Sequence, residues 1–318
     1  MLRQSVKDTA TRLRRWVSSL LLGEPDLGAR LADLEARLGG KGLTGQITRI
    51  EQDVRALLRR QALPADTLPF PNRLTVQRFR GMSQNEEDGI TLALMHEIGE
   101  PVRRFVEIGC GANGGNSGFF ALECGWRGLM VDGDPERIAI ARSLYEGCPV
   151  SVVQTWITRE GIDDLIRMHG LDGEVDLLSI DIDGNDYWIW EAITVCRPRA
   201  VIVEYNSLFG PELAVTIPYQ EDFSRRTRSG KGYYGASLQA LAYLAGRKGY
   251  RLVAIEPRGV NAYFLRNDVA PQVPACDPRQ AFRGLDKLAY RNVREKAGGD
   301  VRTYFTSRGL PLVDVTSS

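Results

Sequence analysis

The stretch RFVEIGCGANGGNSGFFALECGWRGLMVDGDPE, residues 104–136, decides the fold. An apolar run, Phe105 to Ile108, ends in a glycine-rich turn whose far side opens a helix. A second apolar run, Gly128 to Val131, stops at Asp132. Strand, glycine loop, helix, strand and terminal acid together form the smallest grip for an adenine–ribose cofactor. From Gly109 the loop spells GxGxxG, which taken alone also suits a dinucleotide.

Working outward, strands and helices continue to alternate. Pro135 opens a helix running to about Glu146, with Asp134 as its cap. A strand over 149–154, a helix over about 159–169, a strand over 175–182, a helix over 187–195 and a strand over 200–205 follow. Largely apolar strands alternating with helices imply a parallel sheet covered on both faces. After an insertion, Ser207 to Tyr234, a helix over about 237–248 leads into strands 250–256 and 261–266, joined by the short turn PRGV. A turn that short suits antiparallel neighbours. The expected fold is therefore α/β: a doubly wound, mostly parallel seven-stranded sheet ending in an antiparallel hairpin. An α-helical N-terminal segment precedes it.

That segment, residues 1–62, has a different texture. Leu13, Trp16, Val17, Leu20 and Leu21 make one helical stripe beside several arginines, and Leu27, Leu31, Leu34 and Leu38 follow coiled-coil spacing. Helices this short need a partner, which is either the main domain or, as an oligomerisation stalk, a second copy. The basic stripe also suits peripheral contact with an anionic membrane. Residues 63–82, with Pro64, Pro69 and Pro71, read as a linker; 83–270 form the α/β domain, and 271–318 a helical extension with a weakly specified tail. At Ser83–Asp88, Ser83 and Glu86 spell a capping box, while Gln84, Glu87 and Asp88 also suit a cofactor lid.

Bulk numbers exclude several classes. The 41 basic and 40 acidic residues nearly cancel, so no global field favours nucleic acid. Five scattered cysteines without a CxxC, and two histidines, argue for reduced thiols in a cytoplasmic protein and against a zinc site. No stretch approaches the roughly 20 apolar residues of a membrane span, and Trp16 to Leu22 lacks a persuasive signal-peptide cleavage site.

Glu107, two residues before Gly109, separates the two cofactor types. A carboxylate there suits a cationic amino-acid group and would repel a pyrophosphate. Only one nucleotide-binding half is present, and it is followed by acidic strand ends. These residues resemble the seven-stranded S-adenosylmethionine-dependent methyltransferases over about residues 83–266. The resemblance implies that the Gly109 to Gly111 backbone approaches the methionine moiety, and Asn113 in the same loop is counted with the cofactor-binding residues. It also implies that Glu107 holds that moiety and that Asp132 accepts from the ribose hydroxyls. Many members carry an acid after the third strand for the adenine amino group; here 154–158 read QTWIT, and Trp156 either stacks on the adenine or belongs to the core.

The reaction end lies at two further strand ends. Ser179, Asp181 and Asp183 share one face of SIDIDGND (179–186), and Glu204-Tyr205-Asn206 closes the neighbouring strand. IDIDGN followed by VEYN resembles the FkbM-type methyltransferases, which typically O-methylate sugars or secondary metabolites; Ser179 stands where that family often has lysine. Asp183 is the first choice for the base that takes a hydroxyl proton, with Asp181 or Glu204 orienting the acceptor. The same acids with Asn206 also suit Mg²⁺ or Ca²⁺, although the lysine usual in metal-dependent O-methyltransferases is absent. The structural alternative is that Asp181 and Asp183 merely cap loops.

In the insertion, Phe209, Tyr219, Phe223, Tyr233 and Tyr234 lie among Arg225, Arg226, Arg228 and Lys231. The mixture suits a glycan or anionic acceptor, or a solvated loop. The leading expectation is an S-adenosylmethionine-dependent O-methyltransferase acting on a saccharide or another polar metabolite. The alternatives are an NAD(P)-dependent oxidoreductase and a non-catalytic methyltransferase-like binding protein.

Overall fold

The computed structural model describes residues 68–99, 102–225, 232–286 and 288–316. The helical, stalk and membrane readings of residues 1–62 lie outside them. Seven strands form one sheet in the order β3-β2-β1-β4-β5-β8-β7. They are β1 (Arg104–Ile108), β2 (Arg127–Asp132), β3 (Val150–Gln154), β4 (Gly173–Ile180), β5 (Cys196–Glu204), β7 (Tyr250–Ile255) and β8 (Asn261–Arg266). The first five pair in parallel, whereas β8 runs antiparallel to both β5 and β7. This is the methyltransferase-like Rossmann fold, with the expected terminal hairpin.

The double winding follows from strand periodicity, because successive side chains point to opposite faces. Val106 and Leu178 enter one core cluster with Ile162, Ile166, Trp190, Leu241 and Leu244. Their neighbours Phe105 and Leu177 enter the other, with Ile90, Leu94, Phe120, Ile138 and Ala141. Helices therefore cover both faces: α2 (Glu87–Glu97), α3 (Gly118–Glu123) and α4 (Pro135–Leu144) on one, and α5 (Ile162–Met168), α6 (Asp186–Ala192) and α7 (Leu238–Lys248) on the other. Each large side chain fully buried there contributes roughly 1.5–3 kcal/mol. The arrangement places the carboxyl ends of β1, β2, β4 and β5 side by side, where open α/β sheets hold their ligands.

Several expectations change. The stretch read as a linker contains the short helix α1 (Asn72–Thr75), and Leu74 and Phe79 are buried. The capping box does not form. The α2 helix starts at Glu87 without a side-chain cap, because Asp88 Oδ2 gathers the amides of Gly81, Met82 and Ser83 and so turns the incoming chain. Ser83 Oγ instead accepts from the Asp88 amide. Glu87 and Asp88 are fully buried, so they are structural acids and not a lid.

The insertion is no solvated loop in its described part. Phe209, Tyr233 and Tyr234 pack in a third cluster with Tyr290 and Phe305, from the C-terminal helices α8 (Leu288–Ala297) and α9 (Val301–Thr306). The tail is specified too: β9 (Val313–Asp314) pairs antiparallel with β6 (Val215–Thr216). Among the described residues, no helix is long and apolar enough to cross a membrane.

Candidate functional site

The glycine turn begins where β1 ends. Gly109 has φ +89°, and a Cβ on it would stand 1.8 Å from the carbonyl oxygen of Asp181, so the position admits no side chain. Glu107 lies beneath the turn, fully buried. Its carboxyl group accepts from Ser117 Oγ at 2.6 Å, Ser179 Oγ at 2.9 Å and the Asn116 amide at 3.3 Å. Gly115 packs so closely that a Cβ there would meet Glu107 Oε1 at 2.2 Å. Burial pushes this carboxyl up to about 7, against the opposing pull of Ser117 and Ser179. Glu107 therefore fastens the loop to the sheet. Asn113 is tied on the outer side, donating to the Met82 carbonyl and accepting from Tyr145 OH through its own carbonyl.

Asp132 closes β2 and faces a cavity of about 520 Å³. One of its carboxylate oxygens accepts from the Gly111 amide at 3.0 Å and the other from the Asp134 amide at 2.8 Å. Arg137 Nη1 stands 3.7 Å from Oδ2, and each oxygen keeps a lone pair for a further donor. Asp134 caps α4, accepting from the Glu136 and Arg137 amides, as its place before Pro135 implied. Beside Asp132, the Trp156 ring lies against Gly133, is 53% exposed, and donates its indole N–H to the Glu221 carbonyl. It is a cavity wall and not a core residue. Of the cofactor residues proposed from sequence, Gly109, Asp132 and Trp156 line the cavity; Glu107, Gly111 and Asn113 do not.

Asp181 and Asp183 line the same cavity. Together with Glu204 they form a cluster in which one carboxylate oxygen of each lies within 4.8 Å of the others. At an effective dielectric constant near 20, two ionised carboxylates at that distance repel by about 3 kcal/mol. Burial, then the neighbouring Asp183 and Asp186, push the Asp181 carboxyl well above the usual range. Burial, then Asp181 and Asp183, do the same to Glu204, with Arg225 opposing. Glu204 stands behind the cavity wall, weakly hydrogen-bonded by Tyr234 OH at 3.4 Å, while its Oε2 is buried without a partner.

The loop-capping role falls to Asp186, which accepts from the Ile182 and Gly184 amides at 2.9 Å each. Burial pushes its carboxyl up to about 6. Because Asp186 holds the loop, Asp181 and Asp183 are released from that duty. Asp183 takes a left-handed conformation, φ +56°, and pairs with Arg225, whose guanidinium lies 4.0 Å from the centre of the Tyr234 ring. Asn206 is engaged with the backbone. It accepts from the Leu208 amide and donates to the carbonyls of Gly232 and Tyr234.

Sequence reasoning did not single out Arg225 as the partner of Asp183, nor Tyr290, whose hydroxyl meets that of Tyr234 behind Glu204. A basic residue in an aromatic insertion gave a general signal for Arg225; Tyr290, in a charged helix 86 residues beyond Glu204, gave none. Of the insertion's aromatics, Phe223 reaches the cavity, whereas Phe209 and Tyr233 serve the third core cluster.

No protein-family model matches the chain, and no curated protein matches it. Among solved structures it is similar to an O-methyltransferase from Bacillus cereus in complex with SAH, at 15% identity, with 69% of this chain and 89% of that one covered and a TM-score of 0.34. It is also similar to a SAM-dependent methyltransferase from Aquifex aeolicus, at 12% identity, 64% and 96% coverage and a TM-score of 0.33. A TehB-like SAM-dependent methyltransferase from Corynebacterium glutamicum gives 12% identity, 54% and 85% coverage and a TM-score of 0.31. At such scores the fold assignment rests on strand order and register in this chain.

Proposed function

We propose that this chain is an S-adenosylmethionine-dependent methyltransferase that methylates an oxygen of a saccharide or another polar metabolite. One observation carries the reading: a single cavity is lined both by Gly109, Asp132 and Trp156 and by Asp181 and Asp183. An adenosine grip and a group of proton acceptors thus face the same space, as direct transfer between two bound molecules requires.

The residues present fit the methyl donor. Gly109 leaves the turn bare, Asp132 retains acceptor capacity at each oxygen for ribose hydroxyls, and Trp156 offers a half-exposed ring face to a purine. When bound, the donor supplies an electrophilic methyl group. The chain's own residues must position the acceptor and remove its proton. Asp181 is better suited to the second task than Asp183, the first choice from sequence. Asp183 is engaged by Arg225, whereas burial and like charges make the Asp181 carboxylate a stronger base. Phe223, Asn185 and Arg225 complete the wall on the acceptor side and suit a polar ligand.

Calorimetric titration of the full chain with S-adenosylhomocysteine and with NAD tests the reading. Binding of S-adenosylhomocysteine, lost in Asp132→Ala and kept in Asp181→Asn, is the expected result. Binding of NAD alone would transfer the site to the oxidoreductase class, and binding of neither would point to a non-catalytic protein. A screen of sugars and nucleotide sugars with isotopically labelled methyl donor then identifies the acceptor.

A further inference from the structure

The strand-end acids leave an electrostatic problem that the methyl donor does not solve. Asp181, Asp183 and Glu204 bring three carboxylate oxygens within 4.8 Å of one another. Among the described residues, Arg225 supplies the positive charge at the cluster, and its ion pair is with Asp183. Glu204 is 8% exposed, and its Oε2 has no hydrogen-bond partner. A buried, unpaired carboxylate oxygen is costly, and native proteins ordinarily give such an atom a donor or a cation. Asp186 has taken over the loop amides, so the loop itself does not explain why Asp181 and Asp183 converge on Glu204.

We propose that Asp181, Asp183 and Glu204 form a binding site for one hard divalent cation of the Mg²⁺ or Mn²⁺ type. The donor set is all carboxylate oxygen, and the described residues place no histidine or cysteine within the cluster, which argues against zinc. Three protein oxygens leave further positions of an octahedral ion to water or to acceptor oxygens reaching it from the cavity, onto which Asp181 and Asp183 open. The cation polarises such an oxygen, while a carboxylate ligating through one oxygen keeps its second for the departing proton. Asn206, the ligand that the sequence offered beside Glu204, is turned to the backbone, its amide nitrogen donating to the Gly232 and Tyr234 carbonyls and its Oδ1 accepting from the Leu208 amide.

The role given to the cation rests on the methyltransferase reading, but its binding does not, and the experiment separates the two. The full chain, freed of metal with chelator, is titrated with Mn²⁺ and followed by electron paramagnetic resonance; the same samples are titrated calorimetrically with S-adenosylhomocysteine. The expected result is one saturable Mn²⁺ per chain, displaced by Mg²⁺, with affinity reduced about tenfold or more in Asp181→Asn and in Glu204→Gln. The two variants, checked by circular dichroism, cover the event that one of them misfolds. Folded protein that binds S-adenosylhomocysteine but no stoichiometric Mn²⁺ overturns the cation site and leaves the methyltransferase reading intact. Mn²⁺ binding of wild-type strength in both folded variants overturns it as well. Stoichiometric Mn²⁺ sensitive to these substitutions, without S-adenosylhomocysteine binding, establishes the cation site and removes the methyl donor.

Discussion

Replacing Glu107 with glutamine tests whether this acid fastens the glycine loop or grips the cofactor. The folded chain holds the Glu107 carboxyl at about 7, against an ordinary 4.5, chiefly because it is fully buried. Below 4.5 the group carries its proton in the folded and unfolded chain alike. Between 4.5 and about 7 the folded chain keeps a proton that the unfolded chain has released, so stability falls as pH rises through that window. Above about 7 both states are ionised and the whole cost of the buried charge is present. The gap corresponds to about 3 kcal/mol. Glutamine keeps the shape and an acceptor for Ser117 or Ser179 but carries no charge at any pH.

Urea unfolding of both proteins near pH 5 and near pH 8.5 gives the measurement, with the variant's advantage growing by about 2.5 kcal/mol between the two conditions, since part of the gap is already present at pH 5. Taking the difference between proteins removes the other buried acids, such as Asp186 and Glu256, which titrate in the same range in both. S-adenosylhomocysteine affinity should change by less than about threefold, under 1 kcal/mol. Parallel pH profiles would refute the buried-charge account. A large loss of cofactor affinity with unchanged stability would return Glu107 to the role its sequence position first suggested.

Two other substitutions address the cavity wall. Gly109→Ala sets a methyl group against the Asp181 carbonyl, 1.8 Å away, and forces a positive φ on alanine. It should abolish detectable S-adenosylhomocysteine binding in calorimetry and lower the thermal midpoint, since the strain alone costs on the order of 1 kcal/mol before any backbone movement. Trp156→Ala removes a half-exposed ring that contributes little to the core. Its urea midpoint should stay put, while calorimetry shows cofactor affinity reduced by about two- to tenfold, the worth of one aromatic stack.

The strands of the sheet were legible because parallel strands covered on both faces must be apolar throughout, and Phe105–Ile108, Gly128–Val131 and Ala200–Val203 approach that condition. The hairpin was legible from four residues of turn. What escaped depended on partners distant in sequence. Glu107 reads alike as a cofactor ligand or a loop fastener, and Ser179, 72 residues away, helps to decide. Ser83 and Glu86 had the spacing of a capping box, but a carboxylate buried with three amides, at Asp88, competes better for the same turn. The tail escaped because a two-residue strand has no period to detect, and its partner Val215 lies 99 residues before Asp314.

The contact between Gly109 and Asp181 changes what the glycine motif means. Positions β1 and β4 are neighbours in the sheet, so the turn leaving β1 and the loop leaving β4 must pass one another at the same edge. Gly109 is bare because the Asp181 carbonyl occupies the place of its side chain, before any ligand is considered. A glycine-rich turn after a first strand is therefore explained by the packing of the chain itself and does not by its presence establish a cofactor. The weight passes to groups that packing leaves unsatisfied or open: the spare lone pairs of Asp132, the half-exposed Trp156 ring, and the unpartnered Glu204 oxygen behind Asp181. The same contact joins the two halves of the site. Gly109 and Asp181 both line the cavity, so neither can be moved without disturbing the other.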